Sequence, residues 1–360
     1  MFGGVSDPAA QVIDDARAIC AVPAPTFAEG PRGELVSELF RGAGVTATTD
    51  AAGNVVARLG DGPADQTLVL AAHLDTVFAA STEIVFSQRD GRLAAPGIGD
   101  NSLAVAALVH VARGFGGRAL ARPLVLAATV GEEGLGDLRG AKALVAEGPC
   151  AAFVAVEGMT LDTITTAAVG SLRFRVTVRG PGGHPWGDRG TPSAVHALVN
   201  VLAEVLETVT DPDVGLNIGV IHGGTVINAI AGEAAAEIDL RSEDEAALQR
   251  AGRLVRAAAA VAPPLTVMLD ELGHRPGGRI APAHELLAAA RRARAEAGLP
   301  PAPETASSTD ANAAHGRGIP AITVGITTGD NAHRLDEYID LGPVPAGLAA
   351  LDALVERLTR

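Results

Sequence analysis

The chain has 360 residues, 48% hydrophobic and 19% charged, which is enough apolar material for two ordinary domains or one large domain carrying an insertion. Its 28 basic and 42 acidic residues leave a formal charge of −14, which disfavours nucleic acid and anionic membranes as partners. No apolar run approaches the ~20 residues of a membrane helix, Cys20 and Cys150 lie outside any CxxC pattern and so exclude a thiolate zinc site, and "MFGGVSDPAAQVIDDARAIC" lacks the basic and apolar regions of a signal peptide, so a reduced, cytoplasmic compartment is expected.

Strand and helix patterns alternate through the first part. "QTLVLAAHLD" is a strand, "SLAVAALVHVARGFGG" an amphipathic helix, "RPLVLAATVGEE" a strand, "DLRGAKALVAEG" a helix and "CAAFVAVEG" a strand. Continuously apolar strands between helices imply a mostly parallel sheet covered on both faces. The pattern changes near residue 170, where "SLRFRVTVRG" alternates with period two. A helix over "TPSAVHALVNVLAEVLETV" follows, with Thr191 as N-cap and Pro192 in its first turn. Then come strands "GLNIGVIHG" and "EAAAEIDLRS", a helix behind a Ser242 cap, and the strand "LTVMLDELG". That order is βαββαβ, a ferredoxin-like unit. After "HRPGG" the α/β pattern resumes with a helix over 282–298, the strand "PAITVGIT" and a helix over 345–360. The expected organisation is an α/β domain over 1–167 and 276–360, interrupted by a lid over 168–275.

The apolar strands end in polar residues. "LVLAAHLDT" ends on His73 and Asp75, "LAATVGEE" on Glu132 and Glu133, and "AFVAVEG" on Glu157. Asp100 sits in "PGIGDN" just before a helix, and His333 lies in the late loop "TGDNAHRLDEY". The carboxyl ends of parallel strands share one crevice, so two imidazoles and five carboxylates can meet there. Adjacent carboxylates at the end of a buried strand need a compensating positive charge. Imidazole and carboxylate without thiolate suit zinc, with manganese or cobalt as replacements. The "GPGG" glycines are followed by no P-loop Lys-Ser/Thr, which argues against a nucleotide site. His110, His196, His222 and His315 are not assigned to the crevice.

The segments "HLDTVF", "GIGDNSLAVAAL", "ATVGEEGLGDLRGAK", "VEG", "GPGGHPWG", "GGTVINAIA", "STDAN" and "AHRLDEY" together resemble, in order and over essentially the whole chain, the co-catalytic zinc metallopeptidases, the family of tripeptidase T, carboxypeptidase G, aminoacylase and acetylornithine deacetylase. The resemblance implies two zinc ions per chain: His73 and Glu157 on one, Glu133 and His333 on the other, Asp100 bridging. It implies that Asp75 fixes the tautomer of His73 and that Glu132, left without a metal, is the general base. It further implies that His184 of the lid donates to the oxyanion, often from the partner subunit of a homodimer, and that Asn228, Arg241, Thr309 and Asp310 contact substrate. Relatives often carry aspartate at the Glu157 position. "NSLAV" after Asp100 is similar to the peptidase-like members. The expectation is therefore an exopeptidase of small peptides, with an N-acyl amino acid amidohydrolase as the alternative. A metal-binding module without chemistry fits less well, since Glu132 and all five ligands are retained.

Overall fold

The computed structural model describes residues 7–148, 150–260 and 265–360; residues 1–6, on which part of the signal-peptide reading falls, lie outside the described residues. The chain divides into two compact units, Met1–Ala168 with Arg279–Arg360, and Val169–Gly278.

The first unit is built on a mixed sheet. Its order is Ala47–Thr49, Val55–Leu59, Leu124–Thr129, Leu68–His73, Ala152–Glu157, Ala321–Gly325 and Ile164–Ala168, with Glu304–Ser307 pairing alongside the last. The four central strands, Leu124–Thr129 through Ala321–Gly325, are parallel neighbours. Their side chains explain the continuous hydrophobicity. Leu68, Leu70, Leu124, Leu126, Val154 and Val156 enter one core, with Val105, Leu108, Leu287 and Leu351 from the helices of that face. Val69, Ala71, Val125, Ala127, Phe153 and Ala155 enter a second core, with Ala141, Val145, Ala311 and Ala314 from helices Arg139–Ala146 and Ala311–His315. A parallel sheet covered on both faces needs both alternating sets to be apolar. Helix Leu103–Phe115 is buried along ten of its thirteen residues, so it reads as apolar rather than amphipathic.

Two helices near the N-terminus, Pro8–Cys20 and Gly30–Gly42, complete the first core. Asp7 caps the first by accepting from the Ala9 N–H at 3.1 Å. A small antiparallel sheet of Ser87–Arg89, Arg92–Ala94, Tyr338–Asp340 and Gly329–Asp330 ties the loops after residues 86 and 328 together.

The second unit is a four-stranded antiparallel sheet, ordered Gly215–Gly223, Glu233–Ser242, Gly170–Arg179 and Thr266–Arg275, with helices Ala194–Thr208 and Glu245–Ala258. Leu172, Phe174, Val176 and Val178 point into the helix-covered core. On the opposite face Arg173, Arg175 and Arg179 pair across the strand with Asp239, Glu237 and Glu233, which is the cross-strand charge pairing expected of a solvated face. Two capping expectations are corrected. The first helix begins at Ala194 behind Ser193, leaving Thr191 and Pro192 in the preceding loop. The second is capped by Asp244, whose side chain accepts from the Ala246 N–H at 2.8 Å; Ser242 is the last residue of its strand and donates to the Asp213 carbonyl at 2.7 Å. Among the described residues no helix is long and apolar enough to cross a membrane.

Candidate metal centre

The parallel register brings His73 and Glu157 to one edge of the sheet. His73 is level with Thr129 across the Leu68–His73 and Leu124–Thr129 strands, and Glu157 is level with Gly325 on the other side. His73 therefore leaves the sheet at the same edge as the turn bearing Glu132 and Glu133. The ring donates from Nδ1 to the Asp75 main-chain carbonyl at 3.0 Å, which turns Nε2 toward the crevice. The Asp75 carboxylate was expected to fix the ring. It lies 3.8 Å from Nδ1 and is engaged elsewhere. Its Oδ1 accepts the Glu132 N–H and its Oδ2 the Glu133 N–H, each at 2.9 Å, and Oδ2 also takes the Thr26 hydroxyl at 2.8 Å. Asp75 thus clamps the main chain at both glutamates.

Asp100 lies on an irregular turn, Ile98–Ser102, whose Asp100–Asn101 peptide is cis. Glu337, fully buried, accepts from the N–H groups of Gly97, Gly99 and Asp100 at 3.1, 2.7 and 2.9 Å. The Asn101 side chain donates to the Val156 carbonyl and accepts from the Gly158 N–H, both at 2.9 Å, bracketing Glu157. A Cβ on Gly158 would collide with the Gly99 carbonyl, so backbone meets backbone between these two ligand-bearing loops.

The side chains form a continuous chain. His73 Nε2 is 3.0 Å from Asp100 Oδ1 and 3.8 Å from Glu157 Oε2. His333 Nε2 is 3.1 Å from both Asp100 Oδ2 and Glu133 Oε1. Asp100 therefore spends one oxygen on each imidazole. Ligand atoms of His73, Asp100 and Glu133 all lie within 4.8 Å of one another.

Crowded carboxylates shape the electrostatics. Burial and the Asp100 charge push the Glu133 carboxyl up to about 7. Burial, with Asp100, Glu132 and Asp310 around it, holds Glu157 well above the usual carboxylate range. Burial opposes ionisation of Asp100 too, but hydrogen bonds from His333 and His73 outweigh it and hold that carboxyl well below the ordinary range. The Asp100 hydrogen bond pushes His333 up to about 9, against burial. His73 is buried, which disfavours its charge, yet the Asp100 hydrogen bond and the Glu157 charge raise its pKa well above that of an ordinary imidazole. Converging N and O donors, two of them acids that resist ionising beside each other, suit hard or borderline divalent cations.

The remaining expected residues separate. Glu132 is buried beside this cluster. Thr309 and Asp310 are buried as well, and their bonds turn inward rather than to a pocket. Thr309 Oγ1 meets Thr323 Oγ1 at 2.8 Å, and Asp310 Oδ2 accepts the Thr129 hydroxyl at 2.5 Å. Burial and the Glu132 charge push Asp310 up to about 7. His184, Asn228 and Arg241 belong to the second unit, all exposed. His184 Nδ1 accepts from the Trp186 and Gly187 N–H groups at 3.3 and 3.0 Å, so the ring's own N–H is at Nε2. Arg241 pairs with Asp239 at 2.7 Å. Sequence reasoning missed Glu337, Asn101 and Thr26. The first carried a signal: an acid four residues after His333, in "HRLDEY".

The model of Peptidase family M20/M25/M40 matches residues 69–357. Among solved structures the chain is similar to aminopeptidase PepT from Bacillus cereus ATCC 10987, at 21% identity over 98% of this chain and 99% of that one with a TM-score of 0.80. It is similar to a tripeptidase from Staphylococcus aureus subsp. aureus Mu50, at 19% identity over 98% and 99% with a TM-score of 0.78. It also resembles the YXEP protein of Bacillus subtilis, described as a dinuclear metal binding peptidase from M20 family, at 15% identity over 98% of each chain with a TM-score of 0.69. No curated protein sequence matches the chain. A parallel sheet edge carrying imidazoles and carboxylates in this arrangement defines a metal-dependent hydrolase of peptide and related amide bonds. The chain belongs to the peptidase family M20/M25/M40.

Proposed function

We propose that the protein is a two-metal exopeptidase of small peptides. The observation that carries this reading is the pair Glu132 and Glu133, whose N–H groups are both held by Asp75, with Glu133 Oε1 3.1 Å from His333 Nε2 and Glu132 buried beside it. His73 and Glu157 would hold one divalent ion, Glu133 and His333 a second, and Asp100 would offer an oxygen to each. Zinc suits these donors, with cobalt or manganese as substitutes. When bound, such ions polarise an amide carbonyl and make water a nucleophile near neutral pH.

This chain's residues supply the rest. Glu132 takes a proton from the attacking water and returns it to the leaving amine. Asp75 keeps that carboxylate in register with the ligands by fixing the main chain on both sides. His184, presenting N–H at Nε2, is suited to donate to the developing oxyanion. We assign it that role from the lid of a partner subunit in a cytoplasmic homodimer, with Asn228 and Arg241 steadying the substrate. Thr309 and Asp310 act from below, through Thr323 and Thr129, rather than by touching substrate. The similarity to a tripeptidase and an aminopeptidase supports peptides as substrates.

The test combines metal content with a substrate panel. Metal-replete protein should hold two ions per chain and cleave free-amino dipeptides or tripeptides faster than their N-acetylated forms. Chelation should abolish turnover, and zinc, cobalt or manganese should restore it. Faster cleavage of the acetylated compounds would reassign the enzyme as an N-acyl amino acid amidohydrolase. Absence of any amide hydrolysis by the two-metal form would overturn the proposal.

A further inference from the structure

Among the described residues of the first unit, five large apolar side chains are exposed: Phe27, Val77, Val85, Leu135 and Leu335. Four of them lie within two residues of site residues along the chain. Phe27 follows Thr26, whose hydroxyl binds Asp75; Val77 is two residues past Asp75, Leu135 two past Glu133 and Leu335 two past His333. Loops around a polar centre gain nothing in stability from exposing leucine and phenylalanine.

Phe27 is the most telling of the four. Its ring is 64% exposed and its φ is +75°, a left-handed conformation unfavourable for a bulky residue. Local bonds hold it there: Phe27 N–H to Glu29 Oε1 at 3.0 Å and Ala28 N–H to the Pro25 carbonyl at 2.8 Å. The ring lies against the Arg139 guanidinium, 5.6 Å from its centroid. Arg139 is fixed in turn by Glu29 at 2.7 Å and the Ala52 carbonyl at 2.6 Å, and its stem fills the space over Gly131, directly before Glu132. An unfavourable backbone angle kept by this much scaffolding, next to a reaction centre, points to a ligand contact.

We propose that Phe27 is a specificity-determining residue that selects peptides bearing a large apolar side chain beside the scissile bond. The assignment rests on the exopeptidase reading above and deepens it by naming the substrate class. The apolar side chain covers the ring on binding, and small or acidic side chains leave it wet.

The experiment compares metal-replete wild type, Phe27→Gly and Phe27→Tyr on tripeptides Xaa-Gly-Gly and Gly-Xaa-Gly, with Xaa being Leu, Phe, Gly or Asp. Wild type should favour Leu and Phe over Gly at one of the two positions by about 10- to 200-fold in kcat/KM, the range an apolar pocket supplies. Phe27→Gly, at an angle glycine adopts freely, should bring that ratio close to one, chiefly through a raised KM for the apolar peptides. Phe27→Tyr keeps the ring and should keep the ratio. Free leucine should inhibit wild type more strongly than free glycine and lose that advantage in Phe27→Gly. A ratio kept by Phe27→Gly, or lost equally in Phe27→Tyr, overturns the assignment. Wild type that cleaves all the peptides equally sinks this inference alone, whereas wild type that cleaves none sinks the exopeptidase reading itself.

Discussion

Glu337 and Asp100 are joined through the main chain: the Glu337 carboxylate accepts the Asp100 N–H at 2.9 Å and, with its other contacts to Gly97 and Gly99, holds the turn that presents Asp100. Because Glu337 follows His333 by four residues, one buried side chain links the loops of two ligands. Glu337 thus holds the Asp100 turn in place beside the loop of His333. In Glu337→Ala three buried N–H groups lose their acceptor, at about 1–3 kcal/mol each. Denaturant unfolding of the metal-free protein should show a loss of that order, and calorimetric metal titration a 10- to 100-fold weaker affinity, the usual range for losing a group that orients a ligand. Glu337→Gln keeps one acceptor oxygen and should fall between. Unchanged stability and affinity in Glu337→Ala would remove the residue from the centre's support.

Glu132→Gln separates binding from chemistry. The amide cannot take a proton from water, yet it leaves Asp75 its grip on both backbone N–H groups. Turnover should fall by about 10²–10⁴, the range for losing a general base, while metal stoichiometry and the melting temperature stay near those of the wild type. Near-normal kcat in this variant would assign the base elsewhere.

His315 gives a prediction about stability rather than catalysis. It ends the short helix Ala311–His315, and burial pulls its imidazole down to about 4. The unfolded chain, with an ordinary histidine near 6.5, binds the proton over a window where the folded chain does not. Stability is therefore complete above about 6.5 and is lost as pH falls toward 4. Urea midpoints at pH 7 and pH 4.5 should differ less in His315→Asn than in wild type. An equal or larger difference in the variant would show that His315 does not carry this dependence.

The parallel strands and the polar residues at their ends were legible because a strand buried on both faces must be continuously apolar, so the sudden appearance of His73, Glu132 or Glu157 marks where it leaves the core. Strands that are short or mixed, such as Val55–Leu59 and Ile164–Ala168, carry no such contrast and were not anticipated. Helix starts misled for a similar reason. Thr191-Pro192 has the composition of a cap and a first turn, but the chain stays extended through Ser193 before it coils. The part played by Asp75 was only half visible, since a carboxylate near a histidine suggests a ring contact and nothing in the sequence reveals that two backbone N–H groups claim it first. Glu337 was visible only as an acid four residues after His333; that its partners are the main-chain N–H groups of Gly97, Gly99 and Asp100 no motif records.

The close passage of Gly158 over Gly99 means that the separation of Glu157 from Asp100 is gauged by peptide planes in contact, with no rotatable side chain between them to act as a cushion. Such a gauge does not drift when surface loops or specificity residues are exchanged. An enzyme built this way can be retuned toward new substrates at its rim while the spacing of Glu157 and Asp100 stays the same.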